Sequence, residues 1–263
     1  MTIYREKKYY CGNYLEVDIY PLYHQIRGKR TRIKNTSDVQ KAINNRNRVR
    51  KLTRLLNTNF TEDDIKIELT YSDKNVPHSD EEAQKKIRNF LRRLKRFRKN
   101  NDFPELKYII ITEKGKKTGR YHHHAVLSGG MLSKDITRIW GQGVVRITQL
   151  VMTEEGLSGL AEYLTKNISN GDIEENKKAW QASKNLIPPK ERKNDSRISR
   201  KKAREMYENQ ECRDIFEKLY PEYDLVASRP FYNEVNGQYY LCLNMIRKNQ
   251  KSTRVRKSER KRC

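Results

Sequence analysis

Cysteine is scarce in this chain. The four present, Cys11, Cys212, Cys242 and Cys263, stand far apart and form no C-x-x-C pair, which argues against a zinc knuckle and against a disulfide framework of the secreted kind. Reduced thiols are expected. Long apolar runs are missing too: nothing approaches the ~20 residues that span a bilayer. The first residues carry neither the apolar stretch nor the small-residue cleavage site of a secretion signal. No membrane partner is expected, and the chain is expected to stay in the cytoplasm where it is made. Glycines in phosphate-loop order are absent as well. EKGKKTGR has a superficial likeness to such a loop, but no glycine stands at the required distance before Gly115-Lys116-Lys117-Thr118. It reads as a turn, and no other segment supplies an NTPase motif. No segment repeats at a fixed period.

Acidic residues are in deficit. Lys and Arg number 57 against 33 Asp and Glu, a formal net charge of +24, which points to a polyanionic partner and first to nucleic acid. The length, 263 residues, suffices for one substantial domain plus an extension, or for two small domains.

Hydrophobic periodicity organises the rest. A strand is expected around YLEVDIY, then a basic helix from about Asp38 to Leu56 capped by Thr36 or Ser37. IKIELTY alternates, with Ile65, Ile67, Leu69 and Tyr71 on one side and Lys66 and Glu68 on the other. Ser79-Asp80-Glu81-Glu82 has capping-box spacing ahead of Ala83, Ile87, Phe90, Leu91, Leu94 and Phe97, which recur at helical intervals. KYIIIT and YHHHAVL read as an antiparallel hairpin about the Gly115 to Gly119 turn. Ser133 is expected to cap a short helix through Trp140, GVVRITQL to form a further strand, and Thr153 to open a helix carrying Leu157, Leu160, Leu164 and Ile168. This succession describes an α+β domain, an antiparallel sheet packed on helices. Beyond Asn170 come polar sequence with Pro188-Pro189, a charged helix around Arg200 to Leu219, and a hairpin in FYNEVNGQYYLCL turning at Asn236-Gly237. The expected boundaries are a basic N-terminal extension (1–60), a central domain (61–170), a C-terminal helical and hairpin extension (171–246) and a disordered basic tail (247–263) that adds sequence-independent affinity for phosphates.

Three of the five histidines are consecutive, and His24 and His78 are the others. On a strand, His122 and His124 project together while His123, Ala125 and Leu127 point the other way. Glu113 lies just before the hairpin turn and can face the same pair, giving two nitrogens and one carboxylate with positions left open for water or a phosphate oxygen. An H-x-H in a soluble protein is more often a surface accident, so the motif needs support from elsewhere. LAEYLTKNI supplies it: Tyr163 and Lys166, three residues apart, share a helix face. A phenol with an ordinary pKa of about 10 is a poor nucleophile at neutral pH. A cation drawing charge from a phosphate and a lysine offsetting negative charge change that.

The succession ELTYSD, YHHHAVL, EYLTK resembles the three motifs of the rolling-circle replication initiators, the His-hydrophobic-His endonucleases of phages, plasmids and related elements. The likeness runs from about Ile65 to Ile168, and WGQGVVRI is similar to the microvirus-type branch. Two positions depart from the pattern: His123 stands where an apolar or aromatic residue is usual, and Glu68 where the first motif is commonly less polar. The resemblance implies a ferredoxin- or RRM-like endonuclease domain in which Glu113, His122 and His124 hold Mg or Mn. Tyr163 is then the nucleophile and Lys166 its charge-neutralising or positioning partner. It also implies a 5′-phosphotyrosine adduct, a 3′-hydroxyl primer, single-stranded DNA at a replication origin as substrate, a host helicase and polymerase as partners, and a bacterial host cell. Conjugative relaxases usually place their tyrosine before the histidines, so the order here favours an initiator. The rival readings are a single-tyrosine transposase and a non-catalytic nucleic-acid-binding protein whose histidines are incidental.

Overall fold

The computed structural model describes residues 2–22, 38–115, 118–166, 179–209 and 213–248. In chain order its elements are β1 (Tyr4–Cys11), β2 (Tyr14–Pro21), α1 (Asp38–Asn59), β3 (Ile65–Leu69), α2 (Asp80–Asn100), β4 (Tyr108–Lys114), β5 (Tyr121–Leu127), α3 (Ser133–Trp140) and β6 (Val145–Gln149). They continue with α4 (Ser158–Thr165), β7 (Gln181–Ala182), β8 (Lys190–Asn194), α5 (Arg200–Glu208), α6 (Arg213–Leu219), β9 (Tyr223–Asn233) and β10 (Gln238–Arg247). The fold is α+β with two five-stranded antiparallel sheets. The chain divides into two compact units, one of residues 1–58, 153–156 and 188–263, the other of 59–152 and 157–187.

The first unit carries the sheet β8-β1-β2-β10-β9. Segments separated by more than 150 residues of sequence therefore share one sheet: β2 pairs with β10, Val17 opposite Leu243. Alternation on β2 sends Leu15, Val17 and Ile19 inward, where they meet Leu241, Leu243 and Met245 of β10 and Ala203, Met206 and Phe216 of α5 and α6. The hairpin β9–β10 turns where the Asn-Gly pair predicts, with Gly237 at φ +62°. β1 and β8 escape the sequence pattern. β8 is KERKN, exposed along its length, so it has no apolar alternation to read. The charged stretch around Arg200 to Leu219 is two helices rather than one, and Ser199 caps the first by accepting from the Lys202 amide at 3.1 Å.

The second unit carries the sheet β6-β3-β5-β4-β7, with β5 at its centre. One face bears Ile67, Leu69, Ile110, Ala125 and Leu127, covered by Ile87, Phe90 and Leu94 of α2 and Ile136 and Trp140 of α3. Ser79 accepts from the Glu82 amide at 3.2 Å, while the Glu82 carboxylate reaches back to the His78 amide at 2.8 Å; the box closes one residue earlier than its usual form. Arg98 is buried on the inner face of α2, and Phe97 is only half-buried. The Arg98 guanidinium donates to the carbonyls of Pro104, Ser128 and Gly129 at 2.8–3.2 Å, which satisfies a cation that burial would otherwise penalise.

Two expected helix starts shift. Thr153 opens no helix: its amide and hydroxyl both donate to the Gly156 carbonyl and its own carbonyl accepts from Gly156, closing a tight turn, and α4 begins at Ser158. Ser133 is the first residue of α3, whose N-cap is Leu132. The caps Thr36 and Ser37, Ile168, His24, and the tail beyond Lys248 lie outside the described residues. Among the described residues, no helix is long and apolar enough to cross a membrane.

Candidate metal and nucleophile site

β5 pairs with β3 on one side and β4 on the other, so its register is fixed twice. Glu113 stands directly opposite His122 across the β4–β5 ladder, and Glu68 opposite His124 across β3–β5. Side chains opposite one another in a ladder share a face, so Glu113, His122, His124 and Glu68 lie on the sheet face away from α2 and α3. The Glu113 carboxylate approaches His122 Nε2 at 3.2 Å and His124 Nε2 at 3.6 Å, and the two imidazoles meet edge to face with centroids 4.9 Å apart. Ligands ~2.1 Å from one ion sit roughly 3–3.5 Å from each other, close to these separations. Nδ1 of His124 is buried and has no hydrogen-bond partner, a polar atom left unsatisfied inside the cluster. The donor set fits a divalent cation.

His123 goes the other way. It is fully buried, with Nε2 at 2.7 Å from the Tyr71 hydroxyl and Nδ1 at 2.9 Å from Thr112 Oγ1, in edge contact with Trp140. Burial, and then the neighbouring imidazoles, hold it neutral, its pKa pushed down to about 3. It is a core histidine that ties β5 to the packed face.

α4 brings Tyr163 onto the metal-type face. Its ring meets His124 edge-on at 5.5 Å, and it is 49% exposed, open to a ligand from solvent. Burial, then the carboxylates of Glu68 and Glu113, raise its pKa, so the phenol keeps its proton unless positive charge arrives. His122 is shifted upward mainly by its hydrogen bond with Glu113, against the effect of burial. Lys166 sits at the C-cap of α4, where its amide donates to the Tyr163 carbonyl at 3.4 Å. The ammonium found over the Tyr163 ring, 5.0 Å from its centroid, is that of Lys66 on β3. Sequence reading missed Lys66, although its alternation with Glu68 puts it on this face. Beside His122 opens a cleft of about 500 Å³ with Thr70, Ser72, Thr118 and Arg120 on its walls, where Arg120 is tied to Asp73 and to the Tyr71 carbonyl at 2.8 Å.

A second acidic cluster, Glu16, Asp18 and Cys242, lies in the first unit. Arg50 and Arg54 of α1 already occupy it: both bind Glu16 and Asp18, Arg54 Nε reaching Glu16 at 2.7 Å. Burial would raise the Glu16 pKa, but Arg54 and Arg50 more than offset that and leave it lowered. Burial pushes the Cys242 thiol up to about 12, away from the thiolate a metal requires.

Residues 64–170 match a family model of replication-associated proteins, the one described by the ORF2 type. That stretch contains Glu113, the three histidines, Tyr163 and Lys166. No curated protein and no solved structure matches the chain.

Proposed function

We propose that this chain, whose residues 64–170 match a family of replication-associated proteins, is a replication initiator that nicks and rejoins single-stranded DNA through Tyr163. The observation that carries the reading is the convergence on one sheet face of Glu113, His122 and His124 with the Tyr163 ring. Glu113, His122 and His124 would hold Mg or Mn, and such an ion supplies Lewis-acid polarisation of a phosphodiester. The protein's own part is to present the phenol. The Tyr163 oxygen attacks phosphorus, its proton departs, and the bond to the 3′-side oxygen breaks. A 5′-phosphotyrosine and a free 3′-hydroxyl remain. The phosphodiester's energy is kept in the adduct, so the same residue can rejoin ends after a round of copying, and the hydroxyl primes rolling-circle synthesis. Lys66 and Lys166 offset charge on the phenol oxygen and the phosphate. The substrate is single-stranded or locally melted, because a backbone must bend to reach a helix-borne tyrosine. The sequence offers no NTPase motif, and unwinding is left to a host helicase.

Incubation of the protein with 5′- or 3′-labelled single-stranded DNA from its own element and Mn tests this. Denaturing electrophoresis should show protein-linked DNA carrying the label 3′ of the cut, and Tyr163→Phe should bind DNA yet form no adduct. Wild-type adduct yield from Tyr163→Phe would remove Tyr163 from the role.

A further inference from the structure

The sheet of the first unit has two faces. Leu15, Val17, Ile19, Leu241 and Leu243 bury one of them against α5 and α6. Strand alternation sends Tyr20, Tyr240 and Phe231 to the other. Tyr240 pairs with Phe231 across β10–β9, their rings 6.0 Å apart. β2 pairs with β10 up to Ile19–Leu241, so Tyr20 and Tyr240 are the next residues along the same ladder. Arg5 opposes Tyr20 on β1. One row across four adjacent strands thus reads Arg5, Tyr20, Tyr240, Phe231, at ~4.8 Å per strand. The neighbouring row on this face holds Lys193, Lys7, Asp18, Cys242 and Arg229 in register.

A hairpin that served only its own sheet would cover Phe231, yet this ring is 59% exposed. A large apolar ring held open beside cations asks for a ligand with flat apolar faces and negative charge. Single-stranded nucleic acid has both: bases stack on aromatic rings while phosphates meet lysine and arginine. Arg229 is available for this, more than half exposed and held only by a 3.6 Å ion pair with Glu155. Duplex DNA, its bases already stacked inward, offers the rings nothing.

We propose that the row Tyr20–Tyr240–Phe231, bordered by Lys7, Lys193 and Arg229, is a stacking platform that binds single-stranded DNA without base specificity, separately from the Tyr163 site. The choice of DNA as the strand rests on the nicking function proposed above, whereas the surface itself rests on the first unit alone.

The test uses the full chain without divalent metal. Phe231→Ala with Tyr240→Ala should weaken binding of a fluorescent sixteen-nucleotide oligo(dT), read by anisotropy, at least about tenfold. The salt dependence should stay nearly unchanged, since no charge is removed, and affinity for a duplex of equal length should stay within about twofold. Phe231→Trp, which keeps an aromatic ring, should retain affinity and show saturable fluorescence quenching on adding the oligo(dT). Undiminished oligo(dT) affinity in the double variant, or an equal loss on duplex, overturns the platform. Adduct formation with Mn is scored in parallel on saturating DNA. An adduct-forming double variant with weakened affinity supports both proposals, and failure of the wild type to form adducts would strike the nicking function while leaving the binding result to stand.

Discussion

Two clusters of three ligand-type side chains occur among the described residues, and they differ in what answers their charge. Glu16, Asp18 and Cys242 face two arginines from a helix of their own unit. Glu113, His122 and His124 face a half-exposed tyrosine, and the one side-chain nitrogen in that group without a partner is buried. Proximity of donors is the same criterion in both. What separates a structural ion-pair network from a candidate metal centre is whether the protein supplies the positive charge itself. The difference is also chemical: imidazole is a good ligand for transition-type divalent ions, whereas a protonated thiol is not.

That contrast can be broken at either end. The largest expected effect is at the second unit: His124→Ala should abolish adduct formation, a loss of about a thousandfold or more in rate given what metal-centred electrostatic stabilisation contributes, together with loss of Mn binding measured by calorimetry. Retained Mn affinity would mean that the ion, if bound, sits elsewhere. At the first unit the effect should be on stability. Arg54→Ala leaves Glu16 mostly buried beside a single arginine, and removal of one partner from such a pair costs ~3 kcal/mol; chemical denaturation should show it while Mn affinity and adduct rate stay at wild-type values. Gain of Mn binding by Arg50→Ala with Arg54→Ala would sharpen the comparison further, by showing that the arginines occupy a latent site.

His123→Ala should lose ~1–3 kcal/mol, the cost of leaving the Tyr71 and Thr112 hydroxyls without their buried partner. It should bind Mn as tightly as wild type, and a loss of Mn binding without unfolding would place the ligand register one residue off. The smallest effect is the pH response of His122. Its folded pKa is raised by Glu113, so in metal-free protein its contribution to stability is fully present below the unfolded value near 6.5 and is lost as pH rises through the folded pKa. Mn affinity should move oppositely, rising over the same interval as the imidazole loses its proton. A stability curve that rises with pH in this window, in wild type relative to His122→Gln, would contradict the Glu113–His122 pairing.

Legibility in the sequence followed burial asymmetry. β3 and β5 could be read, faces included, because one side of each is apolar and the other carries chemistry, and α2 because its apolar positions recur at helical spacing behind a capping box. β1 and β8 could not, since a charged edge strand carries no alternation of polarity. The union of N- and C-terminal segments in one sheet is a long-range pairing to which no local pattern points. At the candidate site the sequence located Glu113, His122, His124 and Tyr163, which the structure brings together. It looked for an ammonium three residues along the helix, while the cation over the Tyr163 ring comes from Lys66 on a different strand, a relation only the fold creates.

The central place of β5 bears on how this chain can tolerate change. Its residues are bonded on both sides, to β3 and β4, and consecutive side chains alternate between the metal-type face and the packed core. A one-residue slip would push His122 and His124 toward Trp140 and expose His123. Lengthening the turn between Gly115 and Arg120 shifts no pairing, because both ladders hold the strand from its flanks. Insertions and deletions among natural variants should therefore accumulate in that turn and stop abruptly at Tyr121, and a deep insertion library selected only for folded protein should show the same edge.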